Sequence, residues 1–302
     1  MTELSIATPP IAQRQPVVSL AGFRSMPWGR TLLTLTVWIA CGLVGYFAWG
    51  FLNNGVYGLD SHAYWLSGHR TVLYGVPPGS VDAYLYSPAF ATLIWPIAQL
   101  PWPTFLALWE FAEGAAFVWL LAPLGWRWGT PVFFLCMIEI VVGNIWAFLA
   151  VVAVIGIRRP AVWALPLLTK ITPGLGPVWY AARRDWRSFG WSIGCTVGVV
   201  GVSFVLAPHL WAAWLQFLLS NHGGGEWLLP LRLVGALGLT VFAARTQRQW
   251  LLAPAMLLAT PMVVTGWMDL TILAAIPRLL QNEPRRSRLD EHMGGQLAVV
   301  GQ

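Results

Sequence analysis

The chain is poor in charge. Only 10% of its 302 residues are Asp, Glu, Lys or Arg, against roughly 25% in a soluble domain. So little charge cannot cover a water-facing surface, which excludes a soluble enzyme or binding module. Cysteine is nearly absent: Cys41, Cys136 and Cys195 are the three, each inside an apolar run. They offer no disulfide framework and no metal-ligand spacing, and they fit inert core thiols. The apolar runs are continuous, without polar alternation, which excludes a membrane β-barrel. No repeat occurs at a solenoid or propeller period. The net charge of +6 does not point to nucleic acid, because the arginines are spread at segment ends, where they set topology or meet anionic lipid. No cleavable signal peptide is expected: residues 1–30 are polar, basic and Pro-containing, and the first apolar run is too long.

What is present is apolar length: 57% hydrophobic residues and a mean hydropathy of +0.63. Backbone groups in hydrocarbon must be satisfied within the segment, so the spans are helices. The expected fold is all-α, a polytopic transmembrane helical bundle with a structured first outer loop. Trp28, Trp126, Trp128, Trp186 and Trp250 stand beside arginines at run ends, as interfacial anchors do.

Residues 1–30 read as a disordered, basic cytoplasmic tail and 281–302 as a second one. Between them, 31–280 forms the membrane domain. Segments are expected at 31–52, 88–100, 104–124, 131–142, 145–157, 161–182 (with Lys170 mid-span), 188–207, 231–244, 251–263 and 267–280. That makes about ten membrane segments, with nine and eleven as alternatives, and both ends inside. Several pieces are only about 20 Å long as helix, less than the ~30 Å of hydrocarbon, and suit the walls of a cavity. Two polar islands, 53–87 and 208–229, share the outer face.

The first island carries Asp60, His62, His69, Arg70, Asp82 and five tyrosines, Tyr57, Tyr64, Tyr74, Tyr84 and Tyr86. A loop of this length in a compact fold is functional or disordered, and its aromatics speak against disorder. Asp60 has two readings. It is the N-cap of a short helix over 61–70, or a carboxylate of raised pKa that takes a proton as general base. Asp60-Ser61-His62 is no triad, which needs spatial adjacency, and Asp60, His62, His69 and Asp82 lack a metal-site spacing. Tyr84 and Tyr86 belong to an aromatic belt or line a sugar or lipid groove. Glu110, Glu113, Glu139 and Lys170 are ionisable groups in apolar runs. Lys170 pairs with a glutamate or contacts a phosphate. Asn221 and His222 open the second island, either as a flexible loop or as hydrogen-bonding partners of a substrate. Arg70, Arg127 and Arg232 are outer-side cations suited to a lipid phosphate or to snorkelling.

The order of short motifs resembles a known family. Leu59-Asp60-Ser61-His62-Ala63-Tyr64 is followed by Tyr84-Leu85-Tyr86-Ser87-Pro88, Trp95-Pro96, Gly143-Asn144-Ile145 and Thr169-Lys170-Ile171-Thr172-Pro173-Gly174. Arg183-Arg184-Asp185-Trp186-Arg187, Ser220-Asn221-His222, Thr260-Pro261 and Trp267-Met268-Asp269-Leu270-Thr271 complete the series. The pattern is similar to GT-C-type polytopic membrane glycosyltransferases, in particular the actinobacterial polyprenyl-phosphomannose-dependent α-1,2-mannosyltransferases. Asn144 and His222 depart from it, standing where Gln is common. The resemblance implies inverting transfer, at the extracytoplasmic face of the cell membrane, from a polyprenyl-phosphate sugar to a glycolipid or glycan. Asp60 would be the catalytic base, with His62, Tyr64, Arg70, Tyr84, Tyr86, Lys170, Asn221 and His222 binding substrate. Neither metal nor cofactor is implied. Two other readings stay open: a transporter or flippase of a lipid-linked substrate, and a non-catalytic membrane subunit of an envelope-building complex.

Overall fold

A computed structural model describes residues 27–53, 57–221, 227–260 and 267–283. Most of both expected tails, and His222, lie outside these residues. Among the described residues all regular structure is helical. In chain order the helices are α1 (Pro27–Asn53), α2 (Leu59–Leu66), α3 (Pro88–Ala98), α4 (Trp102–Leu121), α5 (Trp126–Leu135), α6 (Met137–Val142) and α7 (Trp146–Ile155). They continue with α8 (Ala164–Thr169), α9 (Gly176–Ala182), α10 (Trp186–Leu206), α11 (Pro208–Ser220), α12 (Leu229–Thr246), α13 (Leu252–Leu258) and α14 (Ile276–Asn282). A 3-10 segment, Trp267–Ala275, precedes α14.

Length and burial sort these helices into two sets. Four segments are long and apolar enough to cross a membrane: Thr31–Ala48, Trp102–Leu124, Trp186–Leu206 and Leu229–Thr246. Each turns large apolar side chains outward, with Leu43, Val118, Val205 and Val234 all more than half exposed. In lipid such a face is solvated, whereas in water it would be an aggregation patch. Two of the short helices, α7 and α13, lie inside this belt. In α7 Trp146, Ala147, Leu149, Ala150 and Ala153 are essentially inaccessible, as are Ala253, Ala255 and Met256 in α13. Small residues let the backbones approach closely, which is how helices associate when lipid supplies no hydrophobic drive. Helix α7 packs against α4 and the Trp267–Ala275 segment, and α12 against α13 and α9.

One expected span is not a span. Residues 161–182 form a 3-10 turn (Pro160–Trp163), then α8, then a break, then α9. Pro173 and Gly174 sit in that break, and proline cannot continue an α-helix through its missing N–H. Lys170 is therefore no mid-helix residue. It terminates α8 with extended-side torsions, φ −116° and ψ 78°.

The first island is built, and its links to the membrane body show how. The Gly58 N–H donates to the Val141 carbonyl at 2.8 Å. Trp65 Nε1 donates to Leu100 O at 2.8 Å and Ser87 Oγ to Leu168 O at 2.6 Å. A helix does form here, but it begins at Leu59, with Gly58 as its N-cap in the left-handed region at φ 69°. Asp60 is thus not the cap. It lies inside the first turn of α2, which frees its side chain for another partner.

Candidate functional site

That partner is Asn144. Its Nδ2 donates to Asp60 Oδ2 at 2.5 Å, across 84 residues of chain. Asn144 is itself locked, since its Oδ1 accepts from the Ile145 N–H at 2.7 Å. The close approach depends on Gly143, which ends α6 at φ 73°. A β-carbon on Gly143 would stand 2.4 Å from Ser61 Oγ and 2.6 Å from Ser61 Cβ. Glycine therefore meets two demands at once: left-handed torsions, and contact with the residue next to Asp60. Asp60 is half-buried, and its Oδ1 accepts no hydrogen bond among the described residues. Burial pushes its carboxyl above the usual carboxylate range, while the Lys170 charge and the Asn144 hydrogen bond pull it part of the way back.

Lys170 faces the same space. Its Nζ rests over the Trp146 ring, 4.2 Å from the centroid. It lies within electrostatic reach of Asp269, Glu139 and Asp60. Among the described residues the ion pairs within 4.0 Å are His62–Asp82 and Arg70–Asp82 alone. The expected lysine–glutamate pair is therefore not formed: an aromatic face holds the ammonium instead. Lys170 is only half-buried. Glu139 is fully buried; one oxygen accepts from the Trp146 N–H at 2.9 Å and the other has no partner among the described residues. Asp269, also buried, lies within reach of Lys170 and Arg232.

The other expected site residues divide. Tyr64 and Tyr86 belong with Asp60: their hydroxyls are 2.9 Å apart, and both phenols lie within electrostatic reach of its carboxylate. Tyr84 is 1% exposed and packs against Tyr74 and Tyr86, so it supports the site from behind. His62 points elsewhere, with Nδ1 2.6 Å from Asp82 Oδ1 and its ring edge-on to Trp102. Arg70 joins the same carboxylate, donating to Asp82 O at 2.9 Å and standing 3.4 Å from Oδ2. Asn221 is exposed at the end of α11, where its Nδ2 donates to Phe217 O at 2.8 Å. Glu110 accepts from the Tyr57 hydroxyl, and Glu113 from Trp109 Nε1 at 3.0 Å. No group of three or more metal-binding side chains occurs among the described residues. Asn144, Trp146 and Asp269 are neighbours that sequence reasoning did not place in the site. The signal for Asp269 was a carboxylate in an apolar segment; Asn144 was visible only as part of a motif.

The arrangement is a helical body with membrane-length apolar helices, a carboxylate fixed by Asn144, and an ammonium within electrostatic reach of it. A match to glycosyltransferase family 87 spans residues 84–300, well over half of the chain. The chain belongs to that family, and is accordingly a membrane glycosyltransferase. The matched stretch includes Asn144, Lys170 and Asp269 and begins after Asp60. No curated protein and no solved structure matches the chain.

Proposed function

We propose that the protein is a GT-C-type, inverting transferase acting at the extracytoplasmic face, within a bundle of about ten membrane segments. It moves mannose, or another hexose or pentose, from a polyprenyl-phosphate donor to a glycolipid or glycan acceptor. The observation behind this reading is the pairing of a positioned carboxylate with an ammonium that makes no ion pair within 4.0 Å among the described residues. Asp60 accepts the proton of the acceptor hydroxyl as that oxygen attacks the anomeric carbon. The bond from the anomeric carbon to the phosphate oxygen breaks, and the polyprenyl phosphate leaves with the electron pair. Lys170 faces the negative charge that collects on the leaving phosphate, which is where a fixed cation lowers the barrier most. Asn144 holds the carboxylate in line, and Tyr86 closes the site beside it. The raised carboxyl of Asp60 suits a base, since proton-transfer efficiency improves as its pKa approaches the working pH.

Asp60→Ala and Asp60→Asn, reconstituted in nanodiscs and given a radiolabelled polyprenyl-phosphate mannose with a lipid-extract acceptor, are expected to lose transfer while keeping normal expression. Full activity in both variants removes Asp60 from the mechanism. One feature favours the transporter reading: the α8–α9 break beside Lys170 resembles the discontinuous helices of carriers. A wild-type protein that moves the labelled donor across the bilayer, and never cleaves it, establishes that alternative.

A further inference from the structure

A cleft of about 550 Å³ lies between the loop 71–77 and helix α11, and no Lys, Arg, Asp or Glu lines it. Its helix wall includes the row His209, Ala213, Gln216 and Ser220, which recur at intervals of three and four residues and so share one face, with Leu210 and Phe217 beside it. The opposite face carries Leu215 and Leu218, 54% and 43% exposed. Helix α11 thus presents amide, hydroxyl and imidazole groups to the cleft and leucines to its surroundings, as a helix at a lipid boundary does. The loop wall contributes one aromatic ring, Tyr74, which packs against Phe217 of α11 with ring centroids 5.6 Å apart. Gln216 is exposed, and its amide makes no hydrogen bond among the described residues; Asn221 has its Nδ2 engaged and its Oδ1 unengaged.

The cleft and the candidate site share a partition. Tyr74 donates its hydroxyl to Tyr86 O at 2.9 Å, and the Tyr86 phenol lies within reach of Asp60. The chemistry on the two sides differs. Beside Asp60 an ammonium awaits an anion. The cleft has no cation for a phosphate, but it offers neutral donors and acceptors beside an aromatic face, the combination that suits polyhydroxylated ligands.

We infer that this cleft binds the uncharged sugar portion of a lipid-anchored acceptor, behind the hydroxyl that Asp60 deprotonates. The donor phosphate binds separately, at Lys170. The name "acceptor" rests on the transferase reading above; the binding specificity does not. The test is direct binding in nanodiscs of two probes, an alkyl dimannoside and dodecyl phosphate, to wild type, Gln216→Ala and Ala213→Trp. Losing one amide contact is expected to weaken dimannoside binding about fivefold. Filling the cleft with Trp is expected to abolish it, with dodecyl phosphate binding and thermal midpoint at wild-type values in both variants. Dimannoside binding that survives in Ala213→Trp overturns the inference, and so does dodecyl phosphate binding that is lost with it. Dimannoside binding that follows the expected pattern in a protein that never cleaves a polyprenyl-phosphate sugar retains the cleft and refutes the transferase chemistry. Normal transfer with an unchanged acceptor KM in Ala213→Trp does the reverse.

Discussion

Gly143→Ala puts the geometry of the site under direct strain. At φ 73° a residue with a β-carbon costs about 1–2 kcal/mol. The new carbon would stand 2.4 Å from Ser61 Oγ, whereas ordinary contact begins at 3.4 Å. The two strands of chain must therefore part by about 1 Å, and overpacking of this kind costs a further ~1–3 kcal/mol. Ser61 adjoins Asp60 and Gly143 adjoins Asn144, so the movement falls on the 2.5 Å bond between those side chains. A 1 Å misplacement of catalytic groups costs about 10²-fold in rate. The assay is transfer in nanodiscs together with a thermal melt. Ser61→Gly in the same background removes both clashing atoms and leaves the torsional cost. It should restore most of the rate but only part of the stability. A wild-type rate in Gly143→Ala, or a rate loss that Ser61→Gly leaves untouched, would refute the claim that this contact positions Asp60.

Four further outcomes are expected. Asp60→Asn should lower kcat by about 10²–10⁴-fold, the usual worth of a general base. Its melting point should hold or rise at neutral pH: burial raises the Asp60 carboxyl, so above that pKa the folded protein holds a disfavoured charge that Asn removes. The acid limb of the wild-type rate profile should lie above the ordinary carboxylate range, because only ionised Asp60 accepts the proton. In Lys170→Met that limb should move to still higher pH, since the Lys170 charge holds the Asp60 carboxyl down; a shift to lower pH contradicts the assignment. Ser87→Ala leaves a buried 2.6 Å bond to Leu168 O unmade, which should cost about 1 kcal/mol in a denaturant melt and loosen the segment that carries Lys170.

Composition was enough for the fold class, because scarce charge and unbroken apolar runs permit little else. Segment boundaries fared less well. The run 161–182 reads as one span by hydropathy, but Pro173 and Gly174 divide it, and hydropathy gives no weight to a missing N–H. Asp60 was open to two roles in sequence. The structure removes the capping role through Gly58, whose left-handed torsions start the helix two residues earlier than a capping Asp60 would require. The contact that orients the carboxylate was not legible: Asn144 lies 84 positions away, and nothing local joins the two. Lys170 was open to a glutamate pair or a phosphate contact in sequence; it makes no ion pair within 4.0 Å among the described residues and rests instead on Trp146, an uncharged ring supplied by α7. Membership of the family rests on residues 84–300, so the proposed role of Asp60 depends on geometry and on the Leu59–Tyr64 motif that precedes that stretch.

An ammonium leaning on an indole keeps its hydrogens unspent. In the proposed reaction an incoming anion would break no ion pair within 4.0 Å among the described residues, and docking would not await the rupture of a salt link. Had a glutamate gripped Lys170, each turnover would begin with that separation and end with its repair. The Trp146 ring steadies the charge without competing for it, so in the proposed reaction the seat would stand ready for the donor phosphate.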